Sequence, residues 1–107
     1  MFDKNLLEGK RILVTGGGSG LGKEMSRHFL TYGAEVIICG RRDEVLQKTA
    51  KELNDETKGK ITAHSLDIRD SLAIEETINN VFDEGPLDGL VNLSLIHISE
   101  PTRPFHI

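Results

Sequence analysis

Apolar residues fall in blocks along this chain, and the blocks have two different periods. Residues 10–15 contain the run Ile12-Leu13-Val14, aliphatic without alternation, which predicts a strand buried on both faces. The period then changes. Between residues 20 and 32, Leu21, Met25 and Phe29 recur every four positions with Leu30 and Tyr32 beside them. That spacing predicts one face of a helix, with Lys23, Glu24 and Arg27 outside it and Gly33 placed to stop it. Residues 35–40, E-V-I-I-C-G, predict a second buried strand. A second helix opens at Asp43 or its neighbour, carries Val45, Leu46, Thr49, Ala50 and Leu53, and dissolves in the polar stretch 54–60. Residues 61–66 predict a third, shorter strand of alternating character.

Asp70 and Ser71 are capping types ahead of a third helical pattern, Leu72, Ile74, Ile78, Val81 and Phe82, which Gly85-Pro86 ends. Leu90-Val91 begins a fourth strand. The order is β-α-β-α-β-α-β, with one unit about every thirty residues. It implies the α/β class: a parallel sheet with helices on both faces.

Composition narrows this picture only a little. A chain of 107 residues with 37 % apolar and 28 % charged residues suits one globular domain at most. The net charge of −4 is interspersed, and no Lys/Arg cluster forms a nucleic-acid face, so no nucleic-acid partner is expected. No apolar run has the length of a membrane span. Asp3, Lys4, Glu8 and Lys10 break up the region where a secretion signal would lie. The single cysteine, Cys39, cannot form an internal disulfide and is predicted to be a buried small hydrophobe in a reducing compartment, which makes the cytoplasm the expected location. His28 and His64 have no partner at metal-ligand spacing, and no metal is expected.

The chemistry concentrates at Thr15 to Gly22, T-G-G-G-S-G-L-G, where the first strand breaks into the first helix. A tight turn needs φ > 0, and a pyrophosphate reaches backbone only where no Cβ intervenes. The helix that follows offers unpaired N–H groups to that phosphate. Gly16, Gly20 and Gly22, spaced G-x-x-x-G-x-G, therefore predict a dinucleotide site; a glycine-rich turn without ligand is the plain alternative. The second strand ends Ile38-Cys39-Gly40 and is followed by Arg41-Arg42. An acid there would take the adenosine ribose, whereas guanidinium groups suit a 2′-phosphate, so NADP(H) is expected over NAD. The alternative is two surface arginines opening an exposed helix. Asp67, after the third strand, could accept from an exocyclic amine such as that of adenine, or be a turn carboxylate. Asn92 closes the fourth strand, where ligands gather in open parallel sheets; a structural amide bridging loops is its alternative. Ser19, in the glycine loop, suits phosphate contact better than nucleophilic catalysis. No catalytic triad or acid/base pair is visible.

With T-G-G-G-S-G-L-G, Arg41-Arg42, L-D-I at 66–68 and L-V-N at 90–92 in this order, residues 8–92 resemble the short-chain dehydrogenase/reductase family. The resemblance implies the N-terminal half of a doubly wound, Rossmann-type domain, truncated after the fourth strand, with the strand order 3-2-1-4 and the cofactor crevice at the carboxyl edge near the first strand. It implies that Gly16, Gly20 and Gly22 form the phosphate turn, with contacts from Gly18, Ser19 and Leu21. Arg41 takes the place of the residue often used on the 2′-phosphate, Asp67 and Ile68 that of the adenine contact, and Asn92 that of the first asparagine of N-N-A-G. The loops G-G-G-S-G-L-G-K, G-R-R and D-I-R-D are most similar to the 2,4-dienoyl-CoA reductase branch.

The implied activity of the parent protein is hydride transfer between a nicotinamide cofactor and a carbonyl, alcohol or enoyl/dienoyl-CoA substrate. A homo-oligomer is implied too. A non-catalytic NAD(P)-binding sensor or scaffold is the rival class.

After Asn92 the pattern departs. Residues 93–103, L-S-L-I-H-I-S-E-P-T-R, resemble the in-frame translation of a transposase mosaic-end sequencing adapter, and Pro101 would stop a strand. The expected division is therefore 1–92 as a partial dinucleotide-binding domain and 93–107 as a non-native tail. The family's catalytic serine, tyrosine and lysine would lie beyond it, so no turnover is expected of the chain itself.

Overall fold

The computed structural model describes residues 5–16, 18, 20–67 and 69–92. Seven elements alternate: β1 (Arg11–Thr15), α1 (Gly20–Thr31), β2 (Glu35–Gly40), α2 (Asp43–Thr57), β3 (Ile61–Ser65), α3 (Ser71–Asp83) and β4 (Gly89–Asn92). The four strands form one sheet in the order β3-β2-β1-β4, and every pairing is parallel. Each connection therefore crosses over through a helix, as the alternation of periods predicts.

Residues 36–39 of β2 and 11–14 of β1 are all buried, because strands in the middle of such a sheet carry helices on both faces. On one face Ile12, Val14, Val36 and Ile38 pack beneath Leu30 of α1 and Leu46, Ala50 and Leu53 of α2. On the other, Leu13, Ile37 and Cys39 meet Val81 of α3, with Ala73, Ile74 and Leu87 at the margin. Burial pushes the Cys39 thiol up to about 11, so it behaves as a small hydrophobe.

Three elements differ from their predicted form. In α1 the buried residues are Gly22, Ser26 and Leu30, whereas Leu21 is 54 % exposed. Small side chains let that helix lie close to the sheet, so the innermost stripe is not the one with the largest apolar residues; Met25 and Phe29 flank it. Helix α2 runs on through the polar stretch to Thr57, since an end facing water needs no apolar residue, and stops at Lys58 in the left-handed conformation. In α3 only Val81 is buried, and Leu72, Ile78 and Phe82 are exposed, because no second helix lies beside α3 among the described residues.

The caps follow the sequence signals more closely. Asp70 caps α3, its carboxylate accepting from the Leu72 and Ala73 N–H groups at 3.1 Å. Gly33, with φ +99°, turns the chain out of α1, and its place against Glu8 backbone leaves no room for a Cβ. Lys23 and Arg27, on the outer side of α1, pair with Glu52 and Glu56 of α2.

The edge of the sheet away from the glycine turn is fastened by a residue that the periodicity did not single out. Arg11 is 8 % exposed, and its guanidinium Nη1 donates to the carbonyls of Val81 (3.1 Å) and Gly85 at the end of α3. Its Nε lies 3.4 Å from Glu35 Oε1, and its backbone N–H donates to Asp88 Oδ2 at 2.9 Å. The guanidinium thus ties the end of α3 to β1 and β2, while the backbone N–H of the same residue holds Asp88 at the start of β4. Removing the side chain leaves the Val81 and Gly85 carbonyls without this donor and the Glu35 carboxylate with Lys60 as its remaining cation. Arg11→Ala is expected to destabilise the chain by about 3 kcal/mol, read as a lowered urea midpoint with an unchanged slope.

Candidate functional site

The site forms where β1 ends in the middle of the sheet. Gly16 takes φ +75°, a conformation that disfavours other residues, and its N–H donates to Cys39 O at 2.8 Å. This turns the chain over the carboxyl edge and starts α1 at Gly20. The strand order reverses between β1 and β4, so the same edge opens a crevice there.

Each described glycine of the loop does a different job. Gly18 is packed tightly, for a Cβ there would stand 2.9 Å from Val45 Cγ1. Gly20 is open: a Cβ there would meet no described atom within 4 Å. Gly22 is buried inside α1, against the sheet. The turn needs Gly16 and the packing needs Gly18, whereas Gly20 leaves the first turn of α1 accessible to an incoming group.

Beside the turn lies an open pocket of about 270 Å³, lined by Gly16, Gly18, Gly40, Arg41, Arg42, Val45 and Leu46. Its walls are the glycine turn, the end of β2 and the first turn of α2. Arg42 is the N-cap residue of α2, in extended conformation, and makes no side-chain capping bond. The two arginines differ from the others among the described residues. Arg11, Arg27 and Arg69 each face a carboxylate, whereas Arg41 and Arg42 have no carboxylate within 4 Å among those residues. Two guanidinium groups on an apolar floor present donors for an anion.

The remaining predicted residues divide. Asn92 ends β4 next to the turn, and its Oδ1 accepts from Thr15 Oγ1 at 2.8 Å. Thr15 thereby orders the Asn92 side chain across the β1–β4 pair. Asp67 lies on the same edge but does not line the pocket. Its Oδ1 accepts from the Arg69 N–H (2.9 Å) and Nε (3.2 Å), and its Oδ2 from Nη2 at 3.0 Å. Leu21 is exposed on the first turn of α1, and Ser19 and Ile68 lie outside the described residues. Sequence reasoning placed Val45 and Leu46 only in the helix core and missed Gly40, Val45 and Leu46 as pocket residues. The available signal was their position: the last residue of a strand, and the first turn of the next helix, both face the carboxyl edge.

The profile of the short chain dehydrogenase family matches residues 10–106. The chain belongs to this family. The chain is 40 % identical over 89 residues to a protein of Caenorhabditis elegans named "Probable 2,4-dienoyl-CoA reductase 3", covering 80 % of this chain and 28 % of that one. Among solved structures, the citronellol catabolism dehydrogenase AtuB of Pseudomonas aeruginosa PAO1 superposes with a TM-score of 0.81 at 38 % identity, covering 86 % of this chain and 38 % of that one. A short chain dehydrogenase of Escherichia coli CFT073 complexed with NADPH superposes with a TM-score of 0.78 at 32 % identity, over 84 % and 39 % of the two chains. The chain thus spans 28 % to 39 % of the length of these three relatives. What it shares with them is the N-terminal region of a short-chain oxidoreductase, with the strand order 3-2-1-4 expected of the doubly wound fold.

One electrostatic feature of the edge is directly measurable. The Arg69 guanidinium, then the Arg69 N–H, hold the Asp67 carboxyl at about 2, against its ordinary 3.8. A depressed folded-state value stabilises the fold above the unfolded pKa, and the contribution is lost as pH falls from about 4 toward 2. Arg69→Gln is expected to return the Asp67 carboxyl toward its ordinary range in a chemical-shift titration. It should also flatten stability against pH below pH 4. An unmoved titration would show that the pairing does not hold in solution.

Proposed function

We propose that this chain is the cofactor-binding part of an NADP(H)-dependent short-chain oxidoreductase. The observation that carries this reading is the pocket between the glycine turn and α2, lined by two guanidinium groups with no carboxylate within 4 Å among the described residues. The residues fit the cofactor. Gly20 leaves the α1 N-terminus open to a pyrophosphate, with Gly16 and Gly18 in the turn and Leu21 and Gly22 behind it, and Ser19 would add a phosphate contact. Arg41 and Arg42 would take the 2′-phosphate, and Asp67, Ile68 and Asn92 would border the adenine and nicotinamide ends. An Asp67 already engaged by Arg69 keeps lone pairs for a further donor. When bound, the nicotinamide supplies the hydride chemistry, and this part of the protein binds and orients it. NADPH in a relative of the same fold supports the choice of cofactor.

The whole protein would transfer hydride to or from a carbonyl, alcohol or enoyl/dienoyl-CoA substrate, as a cytoplasmic homo-oligomer. The dienoyl-CoA branch is favoured by the resemblance to the worm reductase. We propose further that residues 93–107 are a non-native tail read from adapter sequence, and that the chain itself binds cofactor without turnover. Codons across 93–103 that differ from the adapter would remove the proposal about the tail.

A charge-assisted bond to a phosphate contributes about 1.5–3 kcal/mol, which converts to roughly 10- to 150-fold in affinity. Arg41→Ala and Arg42→Ala are therefore expected to weaken NADPH binding by at least tenfold and leave NADH within about twofold. Equal affinity of the unaltered chain for NADPH and NADH in a calorimetric titration would overturn the choice of NADP(H).

A further inference from the structure

Two glycines from different elements are packed against consecutive residues of α2. A Cβ on Gly18, in the β1–α1 turn, would stand 2.9 Å from Val45 Cγ1. A Cβ on Gly40, at the end of β2, would stand 3.3 Å from Leu46 Cδ2. The first distance is a clash and the second is tight. Leu46 is 1 % exposed and belongs to the core beneath it. Val45 is 37 % exposed, and it lines the pocket together with Arg41 and Arg42. A valine on a helix is held close to one rotamer, so the methyl group over Gly18 cannot swing aside. An added atom must therefore move the turn or the helix, since packed groups do not absorb overlap.

That contact links two parts of the pocket. The turn carries Gly16 and Gly18, while Arg41 and Arg42 immediately precede α2 and follow its first turn wherever it goes. We infer that Val45 is a positioning residue for the adenosine half of the site. It sets the spacing between the glycine turn and α2 and so holds both arginines at the depth where a 2′-phosphate would meet them. Gly18 is glycine because Val45 fills the space above it, which is a separate requirement from the phosphate access given by Gly20. This inference rests on the NADP(H) reading of the pocket.

A four-member cycle tests it, using the 107-residue chain unaltered and with Gly18→Ala, Val45→Ala and both changes together. The probes are adenosine 2′,5′-bisphosphate and 5′-AMP, whose affinity ratio isolates the 2′-phosphate. The thermal midpoint of each chain is recorded alongside. Gly18→Ala is expected to weaken bisphosphate binding at least tenfold, to lower the affinity ratio at least threefold and to lower the midpoint. Val45→Ala alone is expected to lower the affinity ratio at least threefold, because the spacing is no longer set, and the double variant should stay within about threefold of Val45→Ala. If Gly18→Ala does not fold, a double variant that folds and binds like Val45→Ala gives the same support. A Gly18→Ala chain that binds normally, a Val45→Ala chain whose affinity ratio is unchanged, or a double variant showing additive losses or failing to fold, overturns the inference alone. An unaltered chain that binds neither nucleotide overturns the NADP(H) reading and this inference with it.

Discussion

A strand paired in parallel on both edges can be entered only from one end of the sheet and left only at the other. Strand β1 is in that position, between β2 and β4, with helices covering both faces. Its backbone groups are taken by the two ladders and its side chains by the two cores. At its carboxyl end the chain has nowhere to go except out over the edge and into α1. The turn that does this lies in the middle of the sheet, next to the ends of β2 and β4. Thr15, Gly16, Gly40, Arg41 and Asn92 come together for that reason alone. The register from Arg11↔Glu35 to Thr15↔Cys39 carries the constraint from one edge to the other.

The glycine-rich turn is a single motif in sequence but several physical requirements in space. One position needs a left-handed backbone, one is filled from outside by a helix, and one stays open. Only the last looks outward to a ligand. The difference matters because a turn of this composition is compatible with no ligand at all; the openness at Gly20 and the guanidinium groups lining the neighbouring pocket are what support the proposed cofactor site.

The same contrast separates the arginines. Arg11 is buried, with its guanidinium spent on the carbonyls at the end of α3 and on Glu35, so it acts as a fastening of the fold. Arg27 and Arg69 are held by nearby acids at the surface, pairings that contribute little to stability in water. Arg41 and Arg42 stand beside a pocket without such partners among the described residues. Guanidinium groups at a concave edge with no direct ion pair keep donors that a ligand can use, and the relatives of this chain include a structure complexed with NADPH.

By itself the amino-acid sequence determined the alternation of elements and the parallel sheet, because period and punctuation are local properties of the chain; the strand order, which alternation leaves open, came with the family resemblance. It also determined the main candidate residues, since glycine spacing and the Arg41-Arg42 pair are carried by neighbours along the chain. Tertiary structure decided what depends on distance between elements. The stripe that α1 buries is set by how near Gly22 and Ser26 allow it to the sheet, and Leu21 is turned out although it is the larger side chain. Arg11 is a core residue because acceptors from the end of α3 converge on it across 70 and 74 positions of sequence. Asp67 is engaged by Arg69 through the shape of a turn, and Val45 meets Gly18 only because α2 returns over the end of β1. Periodicity reports which face of an element is apolar, and only packing reports what that face touches.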